Sequence, residues 1–259
     1  MTVFGSVTIR AIPDIPLVTA GQDVGAVIAA AAARAGLAPQ DGDVLVVAQK
    51  IVSKAEGRMV PLAGVEPSAR ARDLARTVNK DPRLVELILA ESTEVVACRK
   101  DVLIVAHRLG FVMANAGIDQ SNVGPSPAGE TDCALLLPED PDASARAIRD
   151  RIQALTGSAV AVVVNDSFGR AWRRGTTGHA IGVAGLLPLR NCVGQPDLFG
   201  RKLQSTEVAV ADELAAAASL VMGQGDEGAP AVLIRGAAIQ PGAGGIGPLL
   251  RPKAEDLFR

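Results

Sequence analysis

The run AVAVVV at residues 159–164 constrains the fold more than any other part of the sequence. Six consecutive apolar residues leave no polar face, which is typical of a strand buried on both sides. The run is followed at once by Asn165, Asp166 and Ser167, so we expect the strand to stop there. A second pattern of this kind, DVLVVAQ, occupies residues 43–49. The chain is therefore expected to contain at least two buried strands.

Helices are predicted from apolar periodicity and from residues that start or stop helices. They cover residues 23–34, 66–77, 82–92, 142–155 and 206–222. Further strands are predicted at residues 102–105, 110–115 and 231–234, the first two paired, with His107 and Arg108 at their turn. Because strand pairs lie apart from helices, we expect an α+β fold with mixed or antiparallel sheets flanked by helices, not a regular doubly wound sheet.

Two segments lack periodicity, residues 117–131 and 169–200, and both are rich in glycine. Long ordered loops in a compact chain often have a functional role, so we expect these segments to be loops of that kind.

Composition excludes several classes of function. A net charge of −2 argues against a nucleic-acid binder, and one Trp with no Tyr offers little for base stacking. Three cysteines without a CxxC pair argue against a disulfide framework or a structural zinc site. No signal peptide is recognisable, and no apolar run approaches the roughly twenty residues of a membrane span. We therefore expect a cytoplasmic protein with neither nucleic-acid nor membrane partners.

The common nucleotide and catalytic signatures are missing or misplaced. There is neither a GxxxxGK[ST] loop nor a GxSxG elbow. Gly242, Gly244 and Gly247 satisfy GxGxxG, but only twelve of the 259 residues follow, too few for a βαβ unit. This glycine segment is expected to be a mobile loop. His107 and His179 are far apart, which disfavours a histidine-based zinc site or triad.

Two aspartates at predicted strand ends are the better candidates for chemistry. Asp166 follows the buried run and precedes Ser167, and Asp119 ends the run NAGID. Oxygen ligands of this kind suit a hard cation such as Mg²⁺ or Mn²⁺, and both carboxylates can share one ion. The alternative for each is an aspartate that caps a turn.

Positively charged residues lie close to these aspartates in the sequence. They are Lys50, Lys54 and Arg58 in one group, and Arg170, Arg173 and Arg174 in another. Lysine and arginine both suit phosphate, whereas the alternative is a solvated charged loop. The glycines of MGQGDEG, residues 222–228, offer backbone N–H groups to phosphate or else form a helix cap. Together these residues indicate a metal-dependent enzyme that handles phosphate.

Six long segments, taken in order, carry the motifs of one enzyme family. They are VVAQKIVSKAEGR (46–58), DPRLVELILAES (81–92), NAGIDQSN (115–122), NDSFGRAWRRGTTGHAIGVAG (165–185), DLFGRKL (197–203) and ADELAAAASLVMGQGDEGAPAVLIRG (211–236). Through them the chain resembles coenzyme F420-0:L-glutamate ligase, the γ-glutamyl ligase of F420 biosynthesis, over residues 8–236.

The resemblance implies a reaction, cofactors and an assembly. The family joins L-glutamate to F420-0 through a γ-glutamyl amide, cleaves GTP to GDP and phosphate, and passes through an acyl phosphate. It uses Mn²⁺ or Mg²⁺ with K⁺ as a helper. Its members are intertwined homodimers of a family-specific α+β fold without a P-loop or a Rossmann unit. Residues 1–259 would then form a single ligase module, of one or two subdomains, with no fused nitroreductase-like domain.

The resemblance also implies the metal ligands, and no catalytic residues beyond them. Asp119 and Asp166 match the ligands of the first metal, and Ser167 and Gln224 those of the second. Gln224 stands where some members have Glu, so Asp226 or Glu227 is an alternative ligand for the second metal.

Nucleotide contacts are implied for two stretches and four single residues. They are Ile15, Pro16, Leu17, Val18, Gln49, Lys50, Lys54, Asn122, Met222, Gly223, Gln224, Gly225, Asp226, Glu227, Gly228 and Ala229. Two other functions stay open: an amide ligase with a different acceptor, and a non-catalytic protein that binds a nucleotide.

Overall fold

The computed structural model describes residues 5–126 and 128–257. Within them, six α-helices occupy Val24–Arg34 (α1), Gln49–Ala55 (α2), Ala69–Val78 (α3), Pro82–Ala90 (α4), Pro141–Thr156 (α5) and Val210–Met222 (α6). No helix in this part of the chain combines the length and apolar character that a membrane span requires.

Thirteen strands are formed by the same residues. They are Thr8–Ala11 (β1), Val44–Ala48 (β2), Met59–Pro61 (β3), Ser92–Arg99 (β4), Val102–His107 (β5), Val112–Ala114 (β6), Cys133–Leu135 (β7), Ala161–Gly169 (β8), Thr176–Leu186 (β9), Arg190–Asn191 (β10), Glu207–Val208 (β11), Ala231–Arg235 (β12) and Pro241–Gly244 (β13).

The main sheet has six strands in the order β1-β12-β2-β8-β9-β13. Its neighbours are antiparallel except for β2 and β8, which run parallel from Val44↔Ala161 to Ala48↔Asn165. The carboxyl ends of these two strands therefore lie at the same edge of the sheet. This edge brings the start of α2 close to the residues that follow Asn165.

Helices cover the main sheet so closely that β9 needs glycine at their contacts. Helix α6 packs on β8, β9 and β12, and α5 packs on β8 and β9. A Cβ added to Gly178 would lie 2.5 Å from the carbonyl oxygen of Ala215 in α6, and one added to Gly182 would meet the Pro141 carbonyl in α5. Only a residue without a side chain allows the helix backbone to approach this far.

The buried apolar residues form a core around the main sheet and a second, separate core cluster. Strands β4, β5 and β6 form a three-stranded antiparallel sheet, and α3 and α4 pack against each other and on β4. Fully buried side chains such as Leu62, Ile88 and Leu103 belong to this cluster and not to the core of the main sheet. A separate pair, β3 with β7, completes this part of the molecule.

Most predicted elements are confirmed, and α+β is the class observed. The predicted helices 23–34, 66–77, 82–92 and 142–155 correspond to α1, α3, α4 and α5. Strands β5 and β6 are paired as expected, although His107 is the last residue of β5 and not part of the turn. Residues 206–222 are only partly helical, because Glu207–Val208 pair with β10 before α6 begins at Val210.

Three expectations about strands are wrong. Strand β8 continues through Asn165, Asp166 and Ser167 to Gly169, because β9 supplies hydrogen-bonding partners along its whole length after a register shift at Val164/Asn165. The predicted loop 169–200 contains the eleven-residue strand β9. The predicted mobile loop near Gly242 contains β13, where a Cβ at Gly244 would meet the Val183 carbonyl.

Candidate functional site

A cavity of about 1090 Å³ lies at the edge where β2 and β8 end. Five stretches of chain line it, within residues 15–20, 48–59, 119–126, 165–167 and 222–230. Every residue to which the resemblance assigns a metal or nucleotide contact lines this one cavity. The structure thus brings the whole predicted set together, while the ligand of each residue stays a prediction.

Asp119 reaches the cavity from a left-handed turn. Asn115, Ala116 and Gly117 have φ angles of 53°, 53° and 66°, a conformation that costs energy for the two residues with a side chain. Asp119 then forms an isolated bridge with Leu135. Such backbone strain is typical of segments that the surrounding structure holds in place for a function.

The carboxylate of Asp119 is held by the first residues of α2. Its Oδ2 atom accepts a hydrogen bond of 2.8 Å from Gln49 Nε2 and forms an ion pair with Lys50. Gln49 is buried and is itself oriented by Ser53, whose Oγ donates to Gln49 Oε1 at 2.9 Å. Sequence analysis missed Ser53; its only signal was the i, i+4 spacing from Gln49 on a helix.

Asp166, unlike Asp119, has no cation paired with its carboxylate in the described residues, and it lies near a negative charge. Burial and the negative charge of Asp119 raise its pKa to about 7, and the N–H of Ser167 and the charge of Lys50 only partly offset this. The Ser167 N–H donates to Asp166 Oδ1 at 2.8 Å. Asp119 and Asp166 have the single charge of Lys50 near both of them. Ionising both carboxylates at once therefore costs energy.

The oxygen atoms at this point fit a hard divalent cation. Asp119 and Asp166 offer carboxylates, Ser167 a hydroxyl and Gln224 an amide oxygen, the donor types that Mg²⁺ and Mn²⁺ prefer. The raised pKa of Asp166 means that a cation there would relieve an existing repulsion. No cluster of three or more His, Cys, Asp or Glu suited to a metal occurs within residues 5–126 and 128–257. A metal would therefore need the hydroxyl, the amide or a substrate oxygen as well.

Gln224 and Glu227 have different partners. Gln224 Nε2 donates to Ser167 Oγ at 2.9 Å, so the two residues predicted to share the second metal are adjacent. Glu227 Oε2 accepts from the N–H of Gly225 at 2.7 Å, and backbone N–H groups lower the pKa of Glu227 below its usual value. Glu227 would have to leave this loop hydrogen bond before it replaced Gln224 as a ligand.

Lys54 and Asn122 connect the two loops that flank the cavity. Lys54 Nζ donates to the backbone oxygen of Asn122 at 3.0 Å, and Asn122 Nδ2 donates to the backbone oxygen of Gly225 at 2.8 Å. Burial and the nearby Lys50 lower the pKa of Lys54. An ammonium that is partly buried next to another cation favours an anionic ligand.

The other predicted cations lie elsewhere. Arg58 does not line the cavity; it pairs with Glu91 and Glu139, each at 3.0 Å. Arg170, Arg173 and Arg174 also lie outside the lining, on the connection between β8 and β9. The expectation that these four residues share a phosphate site with Lys50 and Lys54 is therefore not met by the geometry.

The fold and the site describe an α+β enzyme whose carboxylates, lysines and glycine-rich loop surround one large cavity, and comparison with known proteins gives its class. The chain is a ligase, an enzyme that forms amide bonds. It belongs to the F420-0:gamma-glutamyl ligase family, whose model matches residues 13–236. The resemblance recognised in the sequence is thereby confirmed.

Three relatives illustrate the similarity, and each is named coenzyme F420:L-glutamate ligase. The protein of Methanothermobacter thermautotrophicus is 48% identical over 255 residues, 98% of this chain and 99% of the relative. That of Methanocaldococcus jannaschii is 46% identical over 220 residues, 85% and 86% of the two chains. That of Archaeoglobus fulgidus is 41% identical over 248 residues, 96% and 94%.

Proposed function

We propose that this protein adds L-glutamate to coenzyme F420-0 through a γ-glutamyl amide, with GTP as the energy source and GDP and phosphate as products. The names of the family and of its relatives support the two substrates. The observation that carries the proposal is the convergence of two aspartates, two lysines and a glycine-rich loop on one cavity. Its volume, about 1090 Å³, is at the upper end for small-molecule sites and is sufficient for a nucleotide.

The reaction has two group transfers. First, a carboxylate oxygen of the acceptor attacks the γ-phosphorus of GTP, the bond to the β-phosphate oxygen breaks, and GDP leaves. The product is an acyl phosphate. Then the amine of glutamate attacks the acyl carbon, the carbon–oxygen bond to phosphate breaks, and the amine loses a proton to solvent. An amide and inorganic phosphate result, and the carboxylate has been activated at the expense of one GTP.

The lysines and the loop would bind the nucleotide. Lys54 lines the cavity together with Lys50. In the described part of the chain no carboxylate lies within salt-bridge distance of Lys54. Two ammonium groups can neutralise the phosphate charge that grows during transfer. The loop at residues 222–229 adds backbone N–H groups, and the Asn122–Gly225 hydrogen bond holds it against the opposite wall.

Asp119, Asp166, Ser167 and Gln224 would hold Mn²⁺ or Mg²⁺. When bound, such ions supply charge neutralisation on the phosphate oxygens. The protein's own part is to present the carboxylates at fixed positions, which Gln49 does for Asp119 and the Ser167 N–H does for Asp166. K⁺ as a helper ion and a homodimeric assembly belong to the same proposal; turnover with and without K⁺ tests the first, and sedimentation analysis tests the second.

The decisive experiment incubates the protein with GTP, Mn²⁺, L-glutamate and F420-0 and weighs the products by mass spectrometry. We expect an acceptor heavier by one or more glutamyl residues, with one GDP and one phosphate released for each. Omission of each component in turn should stop the reaction. GTP turnover with a different carboxylic acid, but not with F420-0, would show a ligase with another acceptor. Binding of GTP without any product would show a non-catalytic protein.

A further inference from the structure

Beyond the cavity, β8 and β9 continue as a two-stranded ribbon. Their pairing runs from Asp166↔His179 to Gly169↔Thr176, whereas β2 pairs with β8 only as far as Asn165. In the described residues no third strand joins the ribbon past that point. The ribbon therefore leaves the sheet directly at Asp166, the residue proposed to bind the metal.

One face of the ribbon carries a flat aromatic pair next to Asp166. Asp166 and Phe168 lie on the same face because side chains alternate along a strand, and His179, directly opposite Asp166, shares that face. The rings of Phe168 and His179 stack, with centroids 3.9 Å apart and an interplanar angle of 12°. The charges of Asp212 and Arg170 both act on His179, so this arginine and this carboxylate lie close to the stacked pair.

The ribbon end concentrates positive charge that forms no ion pair within the described residues. Arg170, Arg173 and Arg174 fall within five residues of a chain whose net charge is −2. In the part of the chain that the structure describes, none of the three has a carboxylate within salt-bridge distance, whereas Arg58, Arg83 and Arg108 each have at least one. Unpaired guanidinium groups in a cluster are suited to anionic ligands, because their planar N–H donors match carboxylate and phosphate oxygens.

Phosphoryl transfer adds a directional requirement. The attacking oxygen has to approach the γ-phosphorus opposite the leaving oxygen, so acceptor and nucleotide cannot occupy the same side. The cavity lining includes Asp166 and Ser167 but none of residues 168–179. A molecule on the ribbon would therefore lie beside the nucleotide cavity and would meet it at Asp166.

We propose that this face of the ribbon is the acceptor site: Arg170, Arg173 and Arg174 bind a carboxylic acid that carries a second anionic group, and the Phe168–His179 pair supports its planar part. The inference rests on the proposed function, since it names the site for the acceptor of that reaction. It also gives the three arginines a role separate from the nucleotide.

The test compares Arg170→Ala and the double variant Arg173→Ala/Arg174→Ala with the wild type. We expect the KM for F420-0 to rise about tenfold to a hundredfold, the usual effect of removing hydrogen bonds to a charged group. The KM values for GTP and glutamate should stay within twofold. Arg170→Lys keeps the positive charge but lacks the planar pair of N–H donors, so its KM for F420-0 should lie between those of the wild type and Arg170→Ala. Arg72→Ala, an exposed arginine on α3, is the matched control and should change nothing.

Equilibrium dialysis of F420-0 against the same variants gives an answer that does not require turnover. If the wild type binds F420-0 but forms no product, the proposed function fails while the acceptor site is still decided by dialysis. Unchanged F420-0 affinity in all arginine variants would overturn the site. So would a rise in the KM for GTP or for glutamate in place of F420-0, because the ribbon would then bind a different substrate. Circular dichroism confirms that each variant is folded.

Discussion

Glu91 and Asp166 are both only partly exposed, yet their surroundings shift their pKa values in opposite directions. Burial alone would raise the pKa of Glu91, but the adjacent imidazole of His107 and the charges of Arg58 and Arg108 outweigh it and hold the pKa at about 2. Burial and Asp119 raise the pKa of Asp166 to about 7. One carboxylate has an excess of positive partners, and the other has a negative neighbour.

The difference separates a cluster whose charges are balanced within the chain from one whose charges are not. The Glu91 cluster joins α4 and β5 to the residues around β3 and satisfies its acid within the chain: Arg58 lies at 3.0 Å, Arg108 at 3.1 Å and His107 at 3.5 Å from Glu91 Oε2. In the Asp166 cluster the negative charge of the two aspartates is not balanced, which lowers stability and favours the binding of a cation. Functional sites are commonly places where stability is given up in this way.

The largest expected effect comes from removing the unsatisfied charge. Asp166→Asn and Asp119→Asn should each lower kcat by about a hundredfold to a thousandfold or more, the range for groups that stabilise charge in a transition state. Because Asp166 is destabilised in its charged form, Asp166→Asn should not lower the free energy of unfolding. Steady-state assays and urea denaturation measure the two quantities. Near-normal turnover at modest Mn²⁺ would contradict the shared metal site.

Glu91→Gln should have the reverse profile. Removing one partner of a buried charge cluster leaves Arg58 and Arg108 uncompensated, so we expect a loss of about 3 kcal/mol in the free energy of unfolding. The turnover of the protein that remains folded should be close to that of the wild type. Glu66→Gln, at an exposed position before α3, is the control. A large loss of kcat at low temperature, with stability unchanged, would place Glu91 in the active site.

Lys54→Met tests the nucleotide side of the cavity. Loss of one phosphate partner should raise the KM for GTP about tenfold or lower kcat by a similar factor, since each 1.4 kcal/mol is a tenfold change. Lys100→Met, at an exposed turn, should leave both constants unchanged. Equal kinetics for Lys54→Met and wild type would mean that the nucleotide lies elsewhere.

The pH dependence of stability should distinguish the two carboxylates. The folded pKa of Asp166, about 7, lies above its ordinary value of 3.8, so its contribution is present at low pH and is lost as the pH rises through 7. For metal-free protein we expect a loss of about 1 kcal/mol between pH 6 and 8 that is missing in Asp166→Asn. Glu91, with its lowered pKa, contributes above pH 4.5 and loses its effect only as the pH falls toward 2. Identical pH profiles for wild type and Asp166→Asn would show that Asp166 is not protonated near pH 7.

Gln224→Glu should give the smallest effect. An amide offers one oxygen and no charge, so we expect nucleotide-free protein to bind at most one Mn²⁺, with a second ion appearing only with GDP or GTP. Gln224→Glu should tighten this second site several-fold without a change in products, as measured by calorimetric titration of Mn²⁺. Two tight sites per chain in the wild type would point to Asp226 or Glu227 as the ligand.

Local signals in the sequence predicted the elements that are stabilised locally. Helix α1 begins after Asp23, whose carboxylate accepts the N–H of Ala26 at 2.9 Å, and α5 ends at Gly157 in the left-handed conformation. Strand β9 escaped prediction because its glycines lie where α5 and α6 touch the sheet. Such a composition reflects contacts between residues far apart in the chain, which periodicity does not reveal.

The same holds for the site. The segments that line the cavity were recognised through their resemblance to a family, but the hydrogen bond from Gln49 to Asp119 joins residues 70 positions apart. Arg58 was grouped with Lys54 because the two are close in sequence, whereas the end of α2 turns Arg58 toward Glu91. Spacing along the chain identified the residue types, and only the fold shows which charges meet.

The position of β12 has a consequence for the time at which the site is completed. This strand, Ala231–Arg235, inserts between β1 and β2, so the sheet cannot close until the chain has been made as far as residue 235. During synthesis, residues 49, 119 and 166 would leave the ribosome well before the strand that holds the loop at 222–229 in place. Contacts between residues so distant in sequence form slowly, after local helices. The proposed nucleotide site would therefore be completed late in folding, after the local helices have formed.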